Sequence, residues 1–185
     1  MKLVIAGTGA SGAIYLQRLL AKIDPRAHAV HLVLSAYARQ VVHEELGDLA
    51  VPAGVHEHGD KSMNVPFVSG SARFDAMVVV PCSMGTLARI AAGTADTTIL
   101  RAADVFLKER RPLILVPRET PWSLIHARNV VAVTEAGAIV LPASPGFYSR
   151  PQTVEDVADT VVARILDQLG LPNPGAFRWS EAAGE

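Results

Sequence analysis

Apolar residues fall in five short runs, at positions 2–6, 28–35, 75–81, 112–117 and 138–142, and most of these runs are continuous rather than alternating. A strand that is apolar at every position has both faces covered, the condition of a parallel sheet packed between helices. Between the runs, apolar positions recur with helical spacing and predict helices over 11–22, 36–46, 84–92, 104–110, 123–136 and 154–169. The last is the most regular. Val154, Val157, Ala158, Val161, Val162, Ile165, Leu166 and Leu169 form one stripe, with Thr153 placed to cap it and Gly170 to stop it. Strands alternating with helices imply right-handed βαβ crossovers, so the expected fold is α/β, a three-layer, doubly wound, mainly parallel sheet. Residues 1–185 read as one domain. Residues 47–71, polar and rich in Gly and Pro, read as a long surface connection. The tail, 170–185, carries Phe177 and Trp179 and is expected to pack on its own domain or at a subunit interface.

Composition narrows the partners. Seventeen Lys and Arg against eighteen Asp and Glu leave a formal charge of -1, so no bulk field favours nucleic acid or an anionic membrane. No apolar run approaches the ~18–20 residues that span a bilayer. A single Cys makes no internal disulfide, and Met1-Lys2 precedes only four apolar residues, too few for a signal-peptide core, so a cytoplasmic protein is expected. The six histidines, 28, 31, 43, 56, 58 and 126, show no metal-ligand spacing beyond His56-x-His58, which reads as solvated loop, and no metal is expected.

Doubly wound sheets bind ligands at the carboxyl ends of their strands, and there the glycines and polar residues concentrate. After the first strand comes Gly7-Thr8-Gly9-Ala10-Ser11-Gly12, a G-x-G-x-x-G turn whose free N–H groups suit an anion. The second strand ends Leu34-Ser35-Ala36 without the acidic residue a ribose needs, which disfavours NAD, while Arg39 leaves NADP open. After the third run, Pro81-Cys82-Ser83-Met84-Gly85-Thr86 is a second small-residue turn, and two such turns side by side suit a mononucleotide. Cys82 reads as a small buried residue rather than a nucleophile. Arg101, Lys108 and Arg111 share one side of a helix; Glu109, Arg110 and Arg111 read as a solvated face, and Arg101, beside Thr98-Ile99-Leu100, as aimed inward. Arg118 and Glu119 end the fourth run, where a carboxylate among cations can pass a proton. Tyr148 sits in a proline-braced loop. Arg164, within the last helix, either snorkels outward or joins Tyr148 at an anion site.

Taken together, Gly9-Ala10-Ser11-Gly12, Pro81-Cys82-Ser83, Arg101-Ala102-Ala103-Asp104, Lys108-Glu109-Arg110-Arg111-Pro112, Pro117-Arg118-Glu119-Thr120-Pro121 and Pro145-Gly146-Phe147-Tyr148-x-Arg150-Pro151-Gln152 resemble the UbiX-type flavin prenyltransferases, formerly called aromatic-acid or 3-octaprenyl-4-hydroxybenzoate carboxy-lyases. The resemblance runs nearly end to end. It implies a flavodoxin-like or Rossmann-like sheet, assembly into dodecamers, and transfer of a dimethylallyl group from dimethylallyl phosphate to N5 and C6 of reduced FMN, without a metal. The product, prenylated FMN, would serve a separate UbiD-type decarboxylase.

By motif, the resemblance assigns FMN contacts to Gly9, Ala10, Ser11, Ser35, Ser83, Met84, Gly85, Thr86 and Arg118. It assigns the donor phosphate to Tyr148 and Arg164, with Arg101, Lys108 and Glu119 matching polar positions of that site, and sets Glu45 near the prenyl group. Glu119 is then the acid/base, oriented by Ser11, and Arg101, Lys108 and Arg164 face the leaving phosphate opposite the flavin turns. The rivals are a flavin-dependent cysteine decarboxylase of the same superfamily, which the loop Pro-Ala-Ser-Pro-Gly-Phe-Tyr does not match, and a flavodoxin-like electron carrier, for which the buried-looking cations have no task.

Overall fold

The computed structural model describes residues 1–179. Six parallel strands form one sheet in the order β3-β2-β1-β4-β5-β6: β1 Lys2–Gly7, β2 Ala29–Leu34, β3 His56–Gly59, β4 Ala76–Cys82, β5 Leu113–Pro117 and β6 Ile139–Val140. The helices are α1 Ala13–Lys22, α2 Ala36–Leu46, α3 Met84–Ala91, α4 Thr98–Lys108, α5 Leu124–Glu135 and α6 Val154–Leu169. The continuous apolar runs are explained by two cores. Leu3 and Ile5 of β1 and Val78 and Val80 of β4 face α1 and α6. Val4, Ala6, Met77 and Val79, on the alternate positions, face α3, α4 and α5. Arg18 of α1 grips Asp159 of α6 with two hydrogen bonds of 2.8 and 2.6 Å, and Lys22 adds a third contact at 3.0 Å.

Four expectations are corrected. The sheet has six strands, not five, because residues 47–71 contain β3. That strand runs along the edge and pairs on one side only, with β2, so its residues His-Glu-His-Gly carry no apolar signature. The same segment sends Phe67 into the second core, where it packs with Phe74. His58 is accordingly no solvated loop residue: its Nε2 lies 2.8 Å from His31 Nδ1. The fourth helix begins at Thr98 rather than 104, since Thr97 caps it and Thr98 is fully buried, bonding to the carbonyls of Gly59 and Ser62 beyond β3. Arg111 is not on a solvated face; it donates to the carbonyls of Gly70 and Ala72, 2.7 Å each.

The tail packs on its own chain. Arg178 pairs with Asp167, Asn173 donates to the Ala163 carbonyl, and Phe177 and Trp179 meet Tyr148. Residues 180–185, part of the same expectation, lie outside the described residues.

His31 sits between the rings of His56, His58, Phe67 and Phe74, each with centroids within 5.7 Å. Burial, with His58, His56 and Lys2 adding charge repulsion, pushes its pKa down to about 4. The folded imidazole is therefore neutral through the window in which the unfolded one, near pH 6.5, takes up a proton. The unfolded state binds more protons between about pH 6.5 and 4, so stability falls as acid is added across that window. Because the ring is half exposed, the effect is about 1 kcal/mol, roughly 2–4 °C in Tm. Thermal melts at pH 7, 6 and 5 should show this slope in wild type and a flatter one in His31→Gln; equal slopes would place the acid sensitivity elsewhere.

Candidate functional site

Strand order reverses between β1 and β4, and the turns that follow these two strands face each other there. Thr8, which is buried, joins them. Its backbone N–H and Oγ1 both donate to the Pro81 carbonyl, at 3.1 and 3.0 Å, and its Oγ1 accepts from Ser83 N at 2.8 Å. Gly12 adopts φ 115° to start α1, a conformation that favours glycine. Gly9 is pressed against Tyr37 of α2, where a Cβ would come within 2.5 Å of the tyrosine Cβ.

The first turn holds an anion, but one from the chain itself. Glu45, at the end of α2, accepts from Gly12 N at 2.9 and 3.1 Å and from Ala13 N at 2.8 Å. Desolvation pushes its pKa up, but hydrogen bonds from the Ser11 side chain and these two amides, with the Arg118 charge, outweigh that and hold it below its ordinary value. The carboxylate takes the amides of Gly12 and Ala13, where α1 opens directly beside the end of α2.

The second turn is open. Ser83 caps α3, its Oγ accepting from Thr86 N and lying 3.0 Å from Thr86 Oγ1. A Cβ on Gly85 would meet nothing nearer than Ser83 Oγ at 4.0 Å, so there is room above this helix start. Ser35 caps α2 in the same way. Cys82, between the turns, is completely buried and its thiol is pushed up to about 12 by burial, which leaves it unreactive.

Arg118, at the end of β5, has a buried Nε without a hydrogen-bond partner, a costly state that a bound acceptor would relieve. Its charge is felt by both Glu45 and Tyr15. On its other side opens a cleft of about 590 Å³ walled by Arg118, Glu119, Trp122 and the loop at 142–145. Glu119 is exposed and accepts from Thr120 N at 3.0 Å through Oε1. Past that loop lies a larger cleft of about 820 Å³ holding Tyr148, Arg164, Asp167 and Phe177.

The structure thus gathers Gly9, Ala10, Ser11, Ser35, Glu45, Ser83, Met84, Gly85, Thr86, Arg118 and Glu119 at the carboxyl ends of the strands, with Tyr148 and Arg164 in the adjoining cleft. It does not bring Arg101 and Lys108 to them. Arg101 is only half-buried, bonded to Asp104 at 2.7 Å and to the Val68 carbonyl at 3.2 Å. Lys108 ends α4, paired with Glu109 and close to Gly70. That end of α4 leads into the start of β5, whose five residues span roughly 16 Å to Arg118 and Glu119. Among the described residues of the chain, no ring of cations faces the two turns. Arg164 bonds Asp167 and is largely exposed, so it points outward from α6 into the Tyr148 cleft. Sequence reasoning overlooked Thr8 as a tie, and Tyr15, Trp122 and Asp167 altogether. Of these only Trp122, an aromatic three residues past Glu119, carried a legible signal.

Comparison with known proteins identifies the family. A family model described as Flavoprotein matches residues 1–166. The chain is 44% identical to the flavin prenyltransferase UbiX of Pseudomonas aeruginosa, over 97% of this chain and 94% of that protein. It is 45% identical to that of Thermoplasma acidophilum, over 97% and 100%. The chain belongs to the UbiX flavin prenyltransferase family. Among solved structures, AnUbiX (PadA1) in complex with FMN and dimethylallyl pyrophosphate superposes with a TM-score of 0.90 at 42% identity, covering 96% of each chain. A dodecameric FMN-dependent UbiX-like decarboxylase from Escherichia coli O157:H7 follows at 0.89 and 44%, covering 97% and 99%. A PPC decarboxylase mutant, 16% identical with a TM-score of 0.64, shares the fold alone.

Members of this UbiX family are flavoproteins, and the residues present fit an FMN: an unpaired buried guanidinium N–H, an open glycine at a helix start and a crevice at the switch point. The Glu45 contact can be tested apart from activity. Glu45→Gln removes the charge from the α1 terminus and should cost about 1 kcal/mol at pH 7. Because the folded carboxyl titrates below its ordinary value, this contribution is present above about pH 4.5 and lost as pH falls through the folded pKa. Melts of the two proteins should therefore draw together as the pH is taken progressively below about 4.5; a gap that does not narrow in acid would mean the charge is not what stabilises the turn.

Proposed function

We propose that this chain transfers a dimethylallyl group from dimethylallyl phosphate to N5 and C6 of reduced FMN and releases prenylated FMN to a UbiD-type decarboxylase in the cytoplasm. The observation that carries the reading is Arg118, whose unpaired Nε lies between the open turn at Ser83–Thr86 and the cleft walled by Glu119. Family membership and the relatives named above support it over cysteine decarboxylation or electron carriage. The inert Cys82 and the turns at Gly9–Ser11 and Ser83–Thr86 act as scaffold and FMN seat. Among the described residues no helix is long and apolar enough to cross a membrane.

When bound, the reduced flavin supplies the nucleophilic atoms and an electron-rich face for an allylic cation. The chain's residues do the rest. The Tyr148 hydroxyl and the Arg164 guanidinium supply a donor and a charge for the departing phosphate. Glu119, with Oε2 free of the Thr120 amide, would be the group that exchanges protons with the bound flavin and prenyl group, giving one to the prenyl double bond and taking one from the flavin ring. Ser11 is held by the charged Glu45, so its hydroxyl is oriented before substrate arrives. Trp122 and the prolines at 142 and 145 wall the cleft and exclude water from the reactive group.

In its own chain Lys108 ends α4, toward the start of β5, and Arg101 is tied to Asp104 and the Val68 carbonyl. They join the donor site from a neighbouring copy, in a homo-oligomer that we take to be a dodecamer, the assembly described for the Escherichia coli O157:H7 relative. The exposed apolar surface of α5, with Leu124, Ile125 and Val131 each more than half accessible, is suited to such contacts.

Incubation with reduced FMN and dimethylallyl phosphate under strict anaerobiosis should raise the mass of the extracted flavin by one prenyl group; an unchanged mass overturns the reading. Glu119→Gln should keep FMN affinity within about twofold and slow single-turnover conversion by about 100-fold or more. A rate matching wild type removes Glu119 from this role. For the shared site, Lys108→Ala and Glu119→Gln, each nearly inactive alone, should regain part of the activity when co-expressed in one assembly, since some sites then inherit both native residues. No recovery would show that both act within one chain or that Lys108 acts elsewhere.

A further inference from the structure

The tail shares a carboxylate with the donor site. Asp167 of α6 receives Arg178 in a two-point grip, NH1 to Oδ2 and NH2 to Oδ1, both at 2.8 Å. Arg164, one turn earlier on the same helix, reaches the same carboxylate with NH1 alone, at 2.8 Å to Oδ2. Asp167 is largely buried, at 16% side-chain exposure, whereas Arg164 is 62% exposed toward the cleft. Two guanidinium groups on one carboxylate leave one net positive charge. The two-point geometry gives Asp167 mainly to Arg178, because a bidentate pair satisfies both oxygens. The tail is also seated on the phenol: the Trp179 ring stands edge-on to Tyr148 at 4.7 Å, and Phe177 stacks beside it at 6.4 Å.

We propose that the tail positions the donor site: Arg178 occupies Asp167 so that Arg164 keeps its remaining N–H groups for a phosphate, while Phe177 and Trp179 hold the Tyr148 ring. Without Arg178, Arg164 would close on Asp167 in the same bidentate way and its charge would be spent internally. Arg178 is thus a positioning residue, acting through Asp167. The inference rests on the assignment of Tyr148 and Arg164 to the donor phosphate.

The test is a mutant cycle read with two probes, dimethylallyl phosphate as substrate and inorganic phosphate as inhibitor. Arg178→Gln should raise the KM for dimethylallyl phosphate and the inhibition constant of inorganic phosphate by about tenfold, with kcat and FMN affinity within about twofold. Arg178→Lys should restore part of the loss. Adding Asp167→Asn to Arg178→Gln should recover most of it, because Arg164 then has no carboxylate to collapse onto; a tail that served only as structure, or only as added charge, would show no such recovery. Trp179→Ala should shift the same two constants by a smaller factor, and it keeps the test open if the Arg178 variant folds poorly. Unchanged constants in Arg178→Gln, a fall in KM, or a double variant no better than the single each overturn the proposal. Failure of the assignment beneath it reads differently: Arg164→Gln itself would then leave the inhibition by inorganic phosphate unmoved.

Discussion

The grip of Glu45 on the amides of Gly12 and Ala13 decides how the crevice is used. All six strands are parallel, so every helix that follows a strand presents its positive end at one edge of the sheet, and α1 at the switch point is the most exposed to a ligand. Here that end is already matched by an internal carboxylate. A phosphate brought within ~4 Å of Glu45 would meet a repulsion of about 4 kcal/mol at an effective dielectric of ~20. A helix terminus returns about 1–2 kcal/mol at best. The balance disfavours a phosphate directly beside the amides of Gly12 and Ala13 and leaves the α1 end suited to a group that tolerates, or needs, negative charge beside it. An allylic cation is such a group.

The same edge-of-sheet logic explains why one chain looks incomplete. A right-handed crossover sends each helix back down the sheet, so a residue at the end of a helix lies far from the strand ends where ligands sit. Lys108 is in that position, and Arg101 two turns before it. On the proposed reading their charges serve the crevice of another copy that receives this α4. The weak apolar burial of α5, where Val133 alone is buried, and the two-residue length of β6 leave that side of the sheet uncovered. Surface of this kind is costly in isolation and stable once shared.

What could be read from sequence follows the physics of each element. Runs such as Leu3-Val4-Ile5-Ala6 announce a strand covered on both faces, and the stripe from Val154 to Leu169 announces a helix, because burial imposes the pattern directly. β3 announced nothing, since an edge strand held by backbone hydrogen bonds needs no apolar side chains. The start of α4 was hidden because the fold buries a threonine there on carbonyls of residues 59 and 62, a contact set by β3 itself. Motifs located the turns after β1, β4 and β5 correctly but were silent on what fills them. Glu45 lies 33 residues from Gly12, and no local rule links the two. The split placement of Arg101, Lys108 and Arg164 was illegible for the same reason: shared side on a helix says nothing of which end of the sheet that side reaches.

The fold by itself does not choose the reaction, since a PPC decarboxylase only 16% identical carries the same sheet. The choice lies in how charge is sorted around the loop at 142–146. On one side stand the carboxylates of Glu45 and Glu119, with Arg118; on the other Arg164 and Arg178 share Asp167, in a cleft also lined by Lys22, Arg150, Asp156 and Asp159. Cleaving an allylic phosphate separates a cation from a dianion, and each half needs surroundings of opposite sign. On the proposed reading, carboxylates toward the crevice and the guanidinium group of Arg164 presented toward the tail would stabilise that separation before substrate arrives. A site with the two kinds of charge interleaved would neutralise itself and contribute little, which is why the position of a single tail arginine bears on the chemistry around a loop far earlier in the chain.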